Sequence, residues 1–396
     1  MSWRKVKLGD IAYINQNTIN KNFGYSEIEY IDISSVGTGT LASTTKLKLS
    51  EAPSRAKRLV KDEDTILSTV RPNRRSFLYI NKSRPNLVVS TGFAVLSAFE
   101  GYHPKFIYYL INDQKLTDYL TNSAKGAAYP AVDTEIIFNA EVSVPNFETQ
   151  TKIASILSAY DDLIENNTRR IKILEEMAQT IYKEWFVKFR IPNCELRITD
   201  EGIPEGWEVR TVFDCVEVFS GGTPKTSVGN YWNGKIPFYT PRDSSNEFWI
   251  LNTEKLLTEE GLRNCNSKLY PKHTVFITAR GTVGKMNIND EPMTINQSCY
   301  ALIGKNHVPQ FYVFFALLNY VSHMKQIATG GVFDTIIVDT FKVIPFLLPS
   351  DFILDVFDKN ISPLLNETLL LAKKNQNLRR TRDLLLPKLM SGEVEV

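Results

Sequence analysis

The sequence predicts an α+β chain: two mostly-β domains of one plan, written one after the other and joined by two long antiparallel helices about a pseudo-two-fold axis. Three observations lead there. The chain has 396 residues, 43% of them apolar and 11% aromatic, enough for two cores. Laid over itself at an offset of 204 it coincides, with Trp3 on Trp207 and Asp10 on Asp214. Each half then closes in apolar residues spaced alternately four and three apart. The boundaries are 1–145 for the first domain, 146–190 for the first helix, 191–349 for the second domain, and 350–396 for the second helix and tail.

In the first domain, β-branched and aromatic runs such as 29–33 and 87–89 lie between Gly, Pro, Asn and Ser clusters, the pattern of short strands. One helix is expected over 104–120. Pro145 and Asn146 then end the last strand and offer a helix N-cap. Beyond them runs the first seam: Ile153, Leu157, Tyr160, Ile164, Asn167, Ile171, Leu174, Ala178, Ile181 and Trp185. The second domain repeats the plan, with strands at 235–239 and 274–277 and a helix over 309–325. Between the copies the offset drifts by a few residues and returns to 204 over 126–145 and 330–349, so loop lengths differ. After Pro349 and Ser350 comes a second, less pure seam: Phe357, Ile361, Leu364, Thr368, Leu371, Asn375, Leu378, Arg382, Leu385 and Leu389.

One amphipathic helix alone is equally a wall of a core, but two in matching register favour a coiled coil with each other. At 1.5 Å per residue, about 40 residues span roughly 60 Å. Ser362-Pro363 also reads as an N-cap and first helical residue, so the second helix starts or kinks there on one reading, leaving a spacer of about 40 Å. Asn167 and Asn375 are either register-setting polar residues of the seam or residues on its exposed edge.

Several chemistries lack their residues. The longest apolar run, 311–318, is far short of the ~20 residues of a membrane span. The amino terminus has charge but no apolar segment behind it, so no secretory signal is expected and the chain reads as cytoplasmic. Cys194, Cys215, Cys265 and Cys299 stand too far apart for a redox pair or zinc-ligand spacing, and His103, His273, His307 and His323 are scattered. The stretch 281–285, GTVGK, is a clipped phosphate loop without the preceding glycine spacing.

The positive signals are local, because 46 Lys and Arg against 44 Asp and Glu leave a net charge of only +2. Residues 46–75 hold nine basic side chains against four acidic ones, among them Lys46, Lys48, Arg55, Lys57, Arg58, Arg71, Arg74 and Arg75. Such an excess could track a phosphate backbone or be a solvated face. In the second copy the counterparts are Arg242, Arg280 and Lys285, and the polar loops add Asn73, Lys125, Thr223, Lys225 and Gln297. The shared Arg71/Arg280 position, just after a strand in each copy, suits a two-donor grip on guanine or phosphate; pairing with a nearby carboxylate is the alternative. By residues alone, a coiled-coil scaffold with protein-binding β domains stays open as a second reading.

Several of these residues are shared with a known family. They are Trp3 with LGDIA at 8–12, Trp207 with Phe213-Asp214, FSGGTP at 219–224, YWNGKIP at 231–237, ARGTVGK at 279–285 and Asn296-Gln297. The helical block from Gln150 to Asn167 and the tail LLLPKLMSGE at 384–393 complete the set. Together they resemble the specificity (S) subunits of type I restriction–modification systems, over essentially the whole chain. The resemblance implies two target-recognition domains, each reading half of an asymmetric bipartite site in double-stranded DNA, on an antiparallel coiled coil. It implies a non-catalytic chain without a cofactor of its own, two methyltransferase (M) subunits carrying S-adenosylmethionine, and restriction/motor (R) subunits using ATP and Mg. The complex would be an adenine-specific methyltransferase and ATP-dependent endonuclease. The first half departs from the pattern: NQNTIN at 15–20 stands where the second has GGTP, and Arg71-Pro72 where it has Arg280-Gly281.

Overall fold

The computed structural model describes residues 3–126, 129–327 and 335–396, without side chains for 323–327. The chain divides into two compact units, Met1–Ile164 with Asn377–Val396, and Glu165–Gln376. Each unit thus takes part of both long helices, Phe147–Phe186 and Asp351–Ser391. The comparison of the copies over 126–145 and 330–349 falls partly outside the described residues.

In the first unit the strand Arg4–Lys7 pairs antiparallel with Glu141–Val144. A four-stranded sheet is ordered Ala12–Ile14, Phe93–Ala98, Thr65–Ser68, Phe77–Tyr79. A second runs Thr45–Lys48, Glu27–Ile31, Leu87–Ser90, Ala56–Leu59, with its two middle strands parallel. The expected helix over 104–120 is two helices, Pro104–Ile111 and Gln114–Ser123. The break is at Asn112-Asp113, where the Asp113 carboxylate accepts from the Lys115 N–H at 3.0 Å and so caps a new helix rather than extending the old one.

The second unit repeats the plan. Glu208–Thr211 pairs with Pro345–Leu348, and five strands are ordered Val216–Ser220, Cys299–Gly304, Val275–Thr278, Met286–Asn289, Trp249–Ile250. Three more run Lys255–Leu257, Trp232–Tyr239, Thr294–Ile295, and a helix spans Gln310–Ile327.

The helices are built as the seams require. Asn146 Oδ1 accepts the Thr149 N–H at 2.9 Å, the N-cap expected there. Gln150, buried, donates to the Pro145 carbonyl and accepts from the His103 N–H, both at 3.0 Å, which ties the first turn to the Pro104–Ile111 helix. In the first unit Ile153, Ala154 and Leu157 share one core with Leu386, Leu389 and Met390, while Asp161 meets Arg382. One number rises as the other falls, so the segments run antiparallel. In the second unit Asn167 donates to Asn375 at 2.9 Å and Arg170 to Glu367 at 2.9 Å, again antiparallel. Tyr182, Trp185 and Phe186 pack on Phe357 in that unit's core.

Every predicted seam residue is buried or half-buried, including Tyr160, Ile164, Ile171, Leu174, Leu364, Leu371, Leu378 and Leu385. Two alternatives that the sequence leaves open are decided. Asn167 and Asn375 are not on an exposed edge: at 7% and 2% exposure they satisfy one another inside the seam. The second helix does not start at Pro363 but runs through it as 41 continuous residues. An interior proline forfeits a hydrogen bond and costs about 3 kcal/mol. Fully buried Phe357, Ile361 and Leu365 on both sides of Pro363 offset that, at roughly 1.5–3 kcal/mol each.

Candidate nucleic-acid interface

In the first unit the loops at the ends of its two larger sheets are tied together by backbone bonds. Thr69 N–H donates to the Gly92 carbonyl at 2.8 Å, Thr91 N–H to Arg55 at 2.8 Å, Val132 N–H to Thr69 at 2.9 Å and Arg71 N–H to Pro130 at 2.7 Å. This brings Arg55, Arg71, Asn73, Arg74 and Lys125 onto one set of loops. The basic run is otherwise dispersed. Lys46 and Lys48 lie on one edge strand of the second sheet, and Lys57 and Arg58 on the opposite edge strand.

The turn after Thr65–Ser68 shows how chain chemistry sets the site. Arg71 (φ 50°, ψ 61°) and Arg75 (φ 52°, ψ 46°) are both left-handed and flank the short turn Pro72–Arg74. In the second copy the left-handed residue is Gly281, one position later. Pro72 cannot adopt positive φ, so the reversal falls on Arg71 itself. Non-glycine residues in this region cost roughly 1 kcal/mol or more, a strain that collects at functional sites. Arg75 donates to Asn112 O and Oδ1 at 2.6 and 2.5 Å and to Gln114 at 3.0 Å, so its donors serve the fold. Arg71 lies with its guanidinium carbon 4.6 Å above the Tyr129 ring, which is 72% exposed.

The remaining basic residues differ in availability. Arg55 pairs with Asp32 at 2.9 Å and Lys48 with Glu51 at 3.7 Å. Partial burial works against the Asp32 carboxylate, but hydrogen bonds from Ser34 and Tyr30 and the Arg55 charge hold it below its ordinary range. Arg58 is half-buried with its pKa lowered by burial, and its Nη1 has no partner among the described residues.

In the second unit four loops join in the same way. Gly222 N–H donates to Ile295 at 3.1 Å, Asn296 N–H to Tyr239 at 2.9 Å and Ala279 N–H to Ser298 at 2.7 Å, while Lys285 Nζ reaches Asn246. A Cβ at Gly221 would fall on the Ile295 and Asn296 carbonyl oxygens, which is why this close approach uses glycine. Thr223 bonds Gln297, and Lys225 accepts the Trp232 indole N–H at 3.3 Å through its carbonyl. Arg242 and Arg280 are exposed on these loops. Arg280 stands close enough to Tyr300 to oppose the rise that burial imposes on its phenol. The GTVGK stretch is a hairpin turn closed by Thr278, whose hydroxyl accepts the Lys285 N–H at 2.9 Å, and it leads into the strand Met286–Asn289. A phosphate loop would open into a helix.

Both units therefore bring polar and basic loops together at strand ends. They do so through loops of different sequence. Tyr129 was missed by sequence reasoning; an aromatic between Lys125 and Pro130 with no apolar periodicity around it was the available signal. Among the described residues no three His, Cys, Asp or Glu converge as a metal site, and no helix is long and apolar enough to cross a membrane. Burial lowers the pKa of both His103 and His273, and His103 Nδ1 and His273 Nε2, both buried, have no hydrogen-bond partner among the described residues.

Comparison with known proteins agrees on this duplicated plan. The type I restriction modification DNA specificity domain matches residues 1–176 and again 204–378. The type I restriction enzyme HindI specificity subunit of Haemophilus influenzae is 23% identical, over 99% of each chain. The MjaIX specificity subunit of Methanocaldococcus jannaschii is 28% identical over 84% of this chain and 78% of its own. In fold, the crystal structure of a type I restriction–modification system S subunit from M. genitalium aligns with a TM-score of 0.59 at 15% identity, over 98% of this chain and 96% of that one.

Proposed function

Since the chain belongs to the type I restriction–modification DNA specificity family, we propose that it is the non-catalytic reader of an asymmetric, bipartite site in double-stranded DNA, one half-site per unit. The observation that carries this is the duplication. One domain plan occurs twice, and each copy gathers polar and basic loops at its strand ends with different side chains. Like scaffolds with unlike loops suit two unlike half-sites, with base-edge contacts giving sequence and phosphate contacts giving register. The paired helices are the ruler between half-sites. Two methyltransferase subunits supplying S-adenosylmethionine, and restriction subunits supplying ATP and Mg, do the chemistry in the cytoplasm on DNA this chain has selected.

The test is binding of the chain, assembled with its methyltransferase partner, to duplex DNA across a salt series. The expected result is an affinity that falls steeply with salt and a preference of at least about 10³-fold for one sequence over bulk DNA. Salt-insensitive binding, or equal binding to all duplexes, contradicts the reading and favours a protein-binding scaffold.

A further inference from the structure

We propose that Arg71 reads a guanine in the half-site of the first unit and that Tyr129 is its positioning residue; this rests on the DNA-reading function proposed above. Three features meet at this pair. Tyr129 is exposed to 72%, so its ring belongs to no core. The Arg71 guanidinium lies 4.6 Å above that ring. The turn beneath is fixed: Arg71 N–H bonds Pro130 at 2.7 Å, Pro72 is buried, and Arg75 anchors the far side to Asn112 and Gln114.

A guanidinium stacked on a ring keeps its N–H donors in its own plane and loses the freedom to tilt. Two parallel donors held in a set plane match N7 and O6 of guanine on the major-groove edge. A phosphate contact makes no such demand, because charge without fixed orientation suffices. Arg74 and Lys125, exposed beside the pair, supply that charge. The left-handed backbone of Arg71 fits the same account, since a strained residue aims one side chain where a relaxed turn would not.

The experiment uses the full chain assembled with its methyltransferase. Its recognised site is mapped first, and binding is then measured to duplexes in which each base pair of both half-sites is replaced in turn. Wild type is expected to lose 10-fold or more when one particular G·C pair of a half-site is replaced. Arg71→Gln should remove that penalty by weakening the cognate site alone, with discrimination at every other position retained. Tyr129→Ala should reduce discrimination at the same pair, and Tyr129→Phe should keep it, because the ring and not the hydroxyl is the platform. Retained discrimination elsewhere also shows that each variant is folded. Uniform weakening of all duplexes by Arg71→Gln, with a shallower salt dependence, would make Arg71 a phosphate contact and overturn the proposal. So would unchanged binding, or Tyr129→Ala acting at a different pair from Arg71→Gln. If wild type itself prefers no sequence, the DNA-reading function fails and this inference falls with it.

Discussion

Glu175 lies on the first long helix with an anomalous carboxylate: burial, with the nearby Glu247 charge adding to it, pushes its pKa from 4.5 up to about 7. Its carboxylate accepts the Phe248 N–H at 3.4 Å, a long bond that only partly compensates. In the unfolded chain this group titrates near its ordinary value, so between about 4.5 and 7 the folded state binds the extra proton. Its contribution is therefore present at low pH and is lost as pH rises through 7. Glu175→Gln, which keeps an acceptor for Phe248, is expected to leave stability unchanged near pH 4 and to raise it by about 2 to 3 kcal/mol at pH 8, where the carboxylate is charged in both states. Denaturant unfolding at the two pH values measures this; equal effects at both would contradict it. Such residues were not legible in the sequence. Glu175 is one of many helix glutamates until Phe248 closes over it, and Arg75 resembled any other member of a basic run until its partners, nearly forty residues away, consumed its donors.

The long helices were legible, because a seam is written in consecutive residues. Spacing alone located both, and the Asn146 cap was visible as a residue type. What spacing could not supply was the outcome of competition between local and tertiary terms. Pro363 argues for a boundary by itself, and buried neighbours on both sides override it. Asp161 and Arg382 form a partly buried pair, with the Tyr109 hydroxyl donating to Asp161 at 2.6 Å. At the corresponding repeat positions the second unit has buried Leu365 and Ala178. The two helix pairings therefore differ chemically, which distinguishes one end of the seam from the other. If these helices are the ruler between half-sites, removing one facing heptad from each shortens it by about 10 Å, at most about three base pairs of duplex. The bases read should be unchanged and the unread spacer shorter. Altered half-sites with an unchanged spacer would refute the ruler, and site mapping of the deletion variant decides.

At the scale of the whole molecule, the duplication is both the clearest sequence signal and the basis of the functional account. Repeated motifs such as Trp3/Trp207 foretold a shared plan, and the match of one domain type to residues 1–176 and 204–378 agrees with it. The loops were far less legible. Residues 46–75 looked like one basic stretch, yet its lysines divide between opposite edges of a sheet and only Arg55, Arg71, Arg74 and their neighbours reach the joined loops. Linear proximity fails there because strand order, not sequence order, decides which loops are neighbours. The central claim is that this chain chooses the DNA sequence on which its partners act. The most direct test is a genome-wide map of adenine methylation in cells carrying the chain with its cognate methyltransferase, against cells lacking this chain alone. The account predicts one asymmetric bipartite motif, methylated throughout the first genome and unmethylated in the second. Identical methylation in the two would contradict it.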